Sequence, residues 1–200
     1  PFFIRAPGVT RPGSAIPAIT RNVDLAPTFA TLLGLEAPPS WTGADLTPLL
    51  TGEATDLDLP VFGETCYLFF PKREGMAVLS EAERARLLDA SGARDTLEVD
   101  ERFDDNIVVK AELHDLAIAT KDGMVRTRRW KLVEIPTTDG EPIRRLWDMQ
   151  ADPGQTTDLS GRGLPVMAEL SAMLAAYDRG EAAALRWPAA KDAPAPPAAP

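Results

Sequence analysis

Apolar residues near the start of the chain recur at the spacing of one helix face. The pattern predicts a helix over residues 24–33 whose apolar positions are Leu25, Phe29, Leu32 and Leu33. Asp24 stands where its carboxylate can accept the free backbone N–H groups of the first helical turn. Gly34 follows as a C-terminal stop. The chain is therefore expected to form a capped amphipathic helix here.

From residue 116 the apolar residues fall in short runs separated by turn residues. These runs predict the four strands of one antiparallel sheet: Leu116–Thr120, Met124–Thr127, Trp130–Ile135 and Ile143–Met149. Two of the separating segments, Lys121-Asp122-Gly123 and Thr138-Asp139-Gly140, contain the Asp-Gly pair that favours tight hairpin turns. Short connections of this kind join neighbouring antiparallel strands.

A second helix is predicted over residues 165–179, with Pro165 near its start and Gly180 at its end. Its apolar face, which most simply packs on the sheet, consists of Val166, Leu170, Met173, Leu174 and Tyr177. Beyond Trp187 the chain is almost entirely Pro and Ala, which predicts a disordered tail over residues 188–200.

The remaining segments predict a first strand and an insertion. Residues 1–5 form a short apolar run that reads as a buried strand closed by an Ala-Pro-Gly turn. No element precedes this strand, so the chain is interpreted as beginning in the middle of a domain. Within the insertion, Ser80 and Glu83 form a capping box that predicts a short helix. The acidic stretch Asp100–Asp105 predicts a solvated loop.

Charge and length exclude some classes of function. The chain has 200 residues with a net charge of −9, from 21 Lys and Arg against 30 Asp and Glu. An acidic surface argues against nucleic acid as a partner and against docking on anionic membranes. No apolar run approaches the ~20 residues that span a bilayer. Cys66 is the only cysteine, so no internal disulfide can form and no compartment, periplasmic, secreted or cytoplasmic, is indicated.

Five segments occur in the order and spacing of one enzyme family. Residues 125–135 follow the pattern R-T-x-x-aromatic-K-hydrophobic, and residues 144–159 carry Leu-Trp-Asp-Met followed by an Asp-Pro-Gly turn. Residues 23–34 read VDLAPTFATLLG, residues 43–52 read GADLTPLLTG, and residues 61–64 form a short strand ending in Glu. Together these segments resemble the C-terminal end of the sulfatases, hydrolases of the alkaline phosphatase superfamily.

The resemblance implies an α/β fold, which in this chain has an α+β arrangement. The expected parts are the C-terminal portion of the catalytic α/β domain (1–68), an insertion with a short helix and an acidic loop (69–115), a four-stranded antiparallel subdomain with a packed helix (116–187) and the tail (188–200). The family often has Glu after the Pro of the turn and Asn at position 158, where this chain has Gly and Asp.

The resemblance also implies a chemistry whose catalytic residues would precede residue 1. Sulfatases use a Cys or Ser in a C/S-x-P-x-R motif, oxidised to formylglycine, whose hydrate attacks the sulfur. A divalent cation, usually calcium, offsets charge on the sulfate oxygens. The implied substrate is a sulfate-ester small molecule or glycan. This chain is expected to supply no catalytic residue, cofactor-binding residue or metal ligand, and to be inactive alone.

Several residues of this chain could carry chemistry, but for each of them a structural role is the favoured interpretation. Cys66 lacks the Pro and Arg of the motif and reads as a buried strand cysteine. His114 is the only histidine and could line the entrance of a pocket, but it reads first as a structural side chain. Asp104 and Asp105 could hold a cation through oxygens, yet adjacent acids usually form a solvated loop. The basic cluster Arg126, Arg128, Arg129 and Lys131 is expected to pair with local carboxylates. Trp130 and Trp147 are expected in the core.

Three alternatives remain open at this stage. The parent enzyme could be a phosphodiesterase or phosphonate hydrolase of the same superfamily. The chain could be a non-catalytic binding or assembly module, or part of a paralogue that has lost its nucleophile. In each case Phe2, Phe3 and the first helix are expected to expose apolar surface, which would favour association, including a homo-oligomer.

Overall fold

The computed structural model describes residues 3–65, 97–111, 114, 121–137 and 141–192. Four expectations therefore lie outside the described residues. They concern Cys66, the helix after Ser80, the strand over 116–120 and the end of the tail over 193–200.

The described part of the chain contains two short α-helices, then six strands, then a longer α-helix. Its α-helices are α1 (Leu25–Leu32), α2 (Thr47–Thr51) and α3 (Pro165–Asp178). Its strands are β1 (Val61–Glu64), β2 (Leu97–Asp100), β3 (Asn106–Val109), β4 (Gly123–Arg126), β5 (Trp130–Ile135) and β6 (Ile143–Asp148). Short 3-10 helices lie at Asn22–Asp24, Glu101–Phe103, Ser160–Arg162, Ala182–Ala184 and Ala189–Asp192.

The main sheet is antiparallel and has the strand order β1-β4-β5-β6. Strands β4, β5 and β6 are those that the alternating pattern predicts. The strand beside β4 is β1, which comes from the first part of the chain. At this junction the backbone N–H of Thr65 donates to the carbonyl oxygen of Asp122 over 3.1 Å. The expected class, a mixed α/β chain with a four-stranded antiparallel sheet and helices, is confirmed.

Two compact units divide the chain. The first comprises Pro1–Phe62, Val125–Leu132 and Leu146–Pro200, and the second comprises Gly63–Met124 and Val133–Arg145.

The core of the first unit joins strand residues to helix α3. Its buried side chains are Val125, Trp130, Leu132, Leu146, Leu170, Leu174 and Trp187. Leu170 and Leu174 come from the predicted apolar face of α3, and Val166, Met173 and Tyr177 pack against the cluster as partly buried neighbours. The ring of Tyr177 stacks on Phe62 with a centroid distance of 4.4 Å. The predicted face of α3 is therefore confirmed.

A smaller apolar cluster of the first unit forms below α2 from Leu46, Leu49 and Leu59. Leu46 and Leu49 fall at i and i+3, so both point to one side of the chain as it enters and follows α2. The Gly that ends α2, Gly52, has a φ of 85°, a left-handed conformation that ends a helix without strain.

The expected first strand is wrong for the residues that the structure describes. Residues 3–5 form no strand, and the side chain of Phe3 is 95% exposed. A buried strand needs neighbouring strands on which to pair, and residues 3–5 belong to neither of the described sheets. The expectation that Phe3 and α1 expose apolar surface is confirmed.

The first residues of the predicted tail are ordered and form a 3-10 helix. Residues 188–192, which were expected to be disordered, continue from the buried Trp187 into a 3-10 helix that ends at Asp192. The apolar anchor Trp187 and the hydrogen bonds described below hold this segment in place despite its Pro-Ala-rich composition. We name residues 185–192 the C-terminal strap.

The second unit contains the antiparallel hairpin of β2 and β3, in which Val99 lies opposite Ile107. Both side chains are exposed, by 63% and 71%. The acidic stretch that is expected to be a loop begins with the last residue of β2, Asp100, and continues into a 3-10 helix. The carboxylate of Asp100 accepts hydrogen bonds from Arg102 in that helix. Among the described residues, no helix has the length and apolar content that crossing a membrane requires.

Candidate functional site

The sulfatase-like blocks at 23–34 and 43–52 are joined through the buried carboxylate of Asp24. Asp24 is completely buried. Its carboxylate accepts the backbone N–H of Arg21 over 2.8 Å, the guanidinium of Arg21 over 2.7 Å and the backbone N–H of Ala44 over 2.8 Å. The predicted cap is wrong, since this carboxylate makes no capping bond to α1. It instead fixes the chain before the helix and a loop 20 residues further on.

Thr28 extends this contact from the next turn of α1. Its buried hydroxyl donates to the carbonyl oxygen of Asp24 over 2.6 Å and accepts the backbone N–H of Leu46 over 2.9 Å. Gly43 is required at the crossing, because a Cβ there would lie 1.9 Å from the carbonyl oxygen of Val23. We name Arg21, Asp24, Thr28, Gly43 and Ala44 the α1 anchor. Its polar groups are satisfied by one another, as buried groups require.

A second buried polar cluster ties the C-terminal strap to the turn between β4 and β5. The Asp192 side chain accepts the Thr127 hydroxyl over 3.1 Å and the Trp187 indole N–H over 2.9 Å, both at Oδ1. Arg129 donates to the Asp192 carbonyl oxygen over 2.9 Å. No described group donates to Oδ2 of Asp192, which is buried.

Arg129 also connects this cluster to the Leu-Trp-Asp-Met block. Its guanidinium lies 2.8 Å from the carboxylate of Asp148 at the end of β6. Burial raises the pKa of Asp148, but hydrogen bonds from Arg129 and from the N–H groups of Ala151 and Gln150 outweigh it and hold the pKa below its ordinary value. Asp148 therefore closes the turn after β6 as a carboxylate.

The basic cluster behaves as a set of structural pairs. Arg128 pairs with Asp56 over 2.8 Å, Arg129 with Asp148, and Lys131 donates to the side-chain oxygen of Gln155 over 2.6 Å. Trp130 is buried in the core of the first unit, and Trp147 is half-buried with the Lys131 ammonium 5.6 Å from its ring centroid. Arg128 and Arg129 thus pair with carboxylates as expected, whereas Lys131 bonds to an amide oxygen. Trp130 lies in the core as expected, whereas Trp147 is only half-buried.

Three of the individual candidates from the sequence, His114, Asp104 and Asp105, lie among the described residues. His114 is exposed, and its Nε2–H donates to the carbonyl oxygen of Val109 over 2.9 Å. Its role at a pocket entrance stays a prediction. Asp104 and Asp105 are exposed and have φ values of 54° and 57° in the turn before β3. Within the described ranges, no three His, Cys, Asp or Glu side chains group as metal ligands would. The described residues thus do not fit a divalent-cation site.

The comparisons identify what these blocks are similar to. No family model matches the chain. A curated protein, the N-acetylglucosamine-6-O-sulfatase of Bacteroides thetaiotaomicron, is 45% identical over 53 residues, which is 26% of this chain and 10% of that protein. The chain thus matches about a tenth of the length of this relative.

Solved structures are matched as well, at low identity. One, determined in complex with its substrate D-glucosamine-2-N,6-O-disulfate, is 17% identical with a TM-score of 0.44, covering 79% of this chain and 24% of the other. The phosphonate monoester hydrolase of Silicibacter pomeroyi is 24% identical with a TM-score of 0.47, covering 88% of this chain and 26% of the other.

The curated match bears out the resemblance seen in the sequence. Over 53 residues the chain is similar to a sulfatase, in agreement with the motifs read from the sequence. The α1 anchor lies in or beside the blocks that carry this resemblance. So does the polar cluster formed by Thr127, Arg129, Trp187 and Asp192. Both clusters hold the fold together, and neither presents a nucleophile.

Proposed function

We propose that this chain is the C-terminal portion of an enzyme that hydrolyses sulfate esters, and that a formylglycine nucleophile and a divalent cation, calcium, are supplied by preceding sequence. The observation that carries the proposal is the 45% identity to a sulfatase over 53 residues. Loose motifs can recur by chance, but this degree of identity over such a length is consistent with common descent of the segment.

The polar contacts of the described residues support a structural role for the chain within that enzyme. The buried acids Asp24, Asp148 and Asp192 are each held by donors from the chain itself. A catalytic base or nucleophile must instead face a space where substrate can bind. The chain alone is accordingly proposed to be inactive, and to complete the fold around a site built elsewhere.

The proposed substrate is a sulfated amino sugar or a related small sulfate ester. Support comes from the curated relative, whose name gives N-acetylglucosamine 6-sulfate as its substrate class. Because this chain carries a net charge of −9, its own field repels a sulfated substrate, which therefore has to be held by local groups.

The test compares two proteins. The complete product of the gene is expressed with a formylglycine-generating enzyme, and the 200-residue chain is expressed alone. Both are assayed with calcium on an aryl sulfate and on N-acetylglucosamine 6-sulfate, and formylglycine is sought by peptide mass spectrometry. Turnover by the complete product together with formylglycine supports the proposal. Turnover by the isolated chain would contradict it.

A matched assay distinguishes sulfate-ester hydrolysis from the alternative reactions, hydrolysis of a phosphonate monoester or of a phosphodiester. A phosphonate monoester and a phosphodiester are offered to the same two preparations. Turnover of these substrates without sulfate hydrolysis would replace the sulfatase proposal with the phosphoester branch of the superfamily. No turnover and no formylglycine would favour the non-catalytic module or the paralogue without a nucleophile.

A further inference from the structure

Helix α1 has the composition of a helix that is covered on all sides. Residues 25–35, which span α1 and its end, read LAPTFATLLGL and contain no Asp, Glu, Lys or Arg. A helix on the surface of a protein normally has charged residues on the side away from the core, whereas a helix that lacks them all round is typical of a buried position.

The apolar side of α1 nevertheless faces outward. Phe29 and Leu33, which lie at i and i+4 on one face, are 48% and 72% exposed, and Leu35 just past the helix is 63% exposed. The buried residues of α1 are Pro27, Thr28 and Ala30. The predicted helix is thus present, and its large apolar side chains point away from the chain's own core. We name Phe29, Leu33 and Leu35 the outward face of α1.

The orientation of α1 is fixed by the α1 anchor. The completely buried Asp24 and Thr28 hold the opposite side of the helix through bonds to Arg21, Ala44 and Leu46. Rotating α1 to bury Phe29 and Leu33 would break these bonds and leave buried polar groups without partners, which costs more than the apolar burial would return. The exposure of the outward face is therefore built into the fold.

Other exposed apolar side chains lie nearby in the sequence. Of the large hydrophobic residues that are exposed in the described ranges, seven belong to the first 41 positions: Phe3, Ile16, Val23, Phe29, Leu33, Leu35 and Trp41. Isolated exposed apolar residues are ordinary, whereas adjoining ones such as Phe29 and Leu33 on one helix face mark an interaction surface.

We propose that the outward face of α1 packs against the nucleophile-bearing α/β segment of the same polypeptide, an inference that rests on the proposed function. The chain matches 10% of its curated sulfatase relative, so a protein of that length has ample chain to cover this face. A second copy is a poorer occupant, because two copies that each carry a net charge of −9 repel one another.

Cysteine labelling tests the proposal directly. Leu33→Cys places a thiol on the outward face, and the control Ala172→Cys places one on the exposed side of α3. Each variant is made in the isolated chain and in the complete gene product, both dilute and concentrated. Reaction with a maleimide is read at each position by peptide mass spectrometry. Sulfate-ester turnover is measured on the same complete preparations.

We expect Leu33→Cys to react as fast as Ala172→Cys in the isolated chain and at least about tenfold more slowly in the complete product, as a buried thiol does. Equal labelling in both proteins would overturn the proposal, and so would protection in the dilute isolated chain or a complete product no longer than this chain. Protection that appears only at high concentration would assign the face to a second copy instead.

The two proposals fail in distinguishable ways. Protection of Leu33→Cys without sulfate-ester turnover would keep the interface and reject the proposed activity. Turnover with a freely reactive Leu33→Cys would keep the activity and reject the interface.

Discussion

The hydroxyl of Thr127, in the turn between β4 and β5, donates a hydrogen bond over 3.1 Å to the carboxylate of Asp192, 65 residues away. The same carboxylate oxygen accepts the indole N–H of Trp187 over 2.9 Å, and both donors are buried. One acidic side chain thus fastens the C-terminal strap, and the apolar anchor Trp187 with it, to the centre of the first unit.

Replacement of Asp192 should release the strap. Asp192→Ala removes the acceptor of two buried donors, and a buried donor left without a partner costs about 1–3 kcal/mol. Asp192→Asn should cost less, since it keeps an oxygen for both donors and the lost Oδ2 has no described donor. Urea unfolding followed by tryptophan fluorescence measures the difference.

An exposed acid provides the control for this comparison. Glu181 forms a surface ion pair with Arg179 in which both side chains are more than half exposed. Glu181→Ala should leave the urea midpoint almost unchanged. An Asp192→Ala variant as stable as Glu181→Ala would show that the strap does not hold the fold.

The buried ion pair of the α1 anchor should be intolerant of single changes. Asp24→Ala leaves the guanidinium of Arg21, whose side chain is 8% exposed, without its carboxylate. Breaking a buried pair by removing one partner costs roughly 3–5 kcal/mol, while replacing both partners with apolar residues costs much less. We expect Arg21→Met with Asp24→Leu to be more stable than Asp24→Ala in thermal unfolding. Both variants lose the bond to Ala44, so the opposite order would mean that the unpaired guanidinium of Arg21 is not the main cost.

Gly43 should not accept even one extra carbon. In Gly43→Ala the new Cβ would lie 1.9 Å from the carbonyl oxygen of Val23, so the backbone has to move apart. Overpacking of this kind costs about 1–3 kcal/mol or more. Gly161→Ala, where nothing lies within 4 Å of the new carbon, is the matched control and should be close to neutral. Circular dichroism melts of both variants provide the comparison.

The contribution of Asp148 should disappear in acid. Its pKa is lowered in the folded protein from an ordinary value of 3.8, so its carboxylate form is favoured by folding. The resulting stability is present above the unfolded pKa and is lost as the pH falls through the folded pKa. Asp148→Asn should therefore be less stable than the parent at pH 7, and the gap should narrow below about pH 4. A stability difference between the two proteins that does not change with pH would mean that the variant loses hydrogen-bond geometry and not charge.

Strands with a clear apolar and polar alternation could be predicted from the sequence, and so could the face of α3. In both cases one face of the element is buried and the other is exposed to solvent, so the local sequence pattern agrees with the position of the element in the fold. Trp130 and Leu170 are buried as their patterns indicate.

Helix α1 shows where this reasoning fails. Its pattern predicts a helix but not which side is covered, because the inward side of α1 is chosen by Asp24 and Thr28 through partners such as Leu46, 18 residues away from Thr28. The local sequence does not show that Asp24 is buried and binds the guanidinium of Arg21, three residues earlier. The strap was missed for a similar reason, since Pro-Ala-rich composition hides the two residues, Trp187 and Asp192, that hold it.

Strand β1 has a consequence for how the protein folds. The contacts that place it beside β4, such as Lys121 with Glu64, join residues 57 positions apart, whereas β4, β5 and β6 follow one another through short connections. The three-stranded meander can therefore form early, and β1 has to close a long loop before it gains its partners, which makes its docking the slower event. The entropic cost of closing a loop depends only weakly on its length, since each doubling of the number of residues adds about 0.6 kcal/mol. The stretch between β1 and β4 can thus lengthen or shorten over evolution at little thermodynamic cost to the sheet.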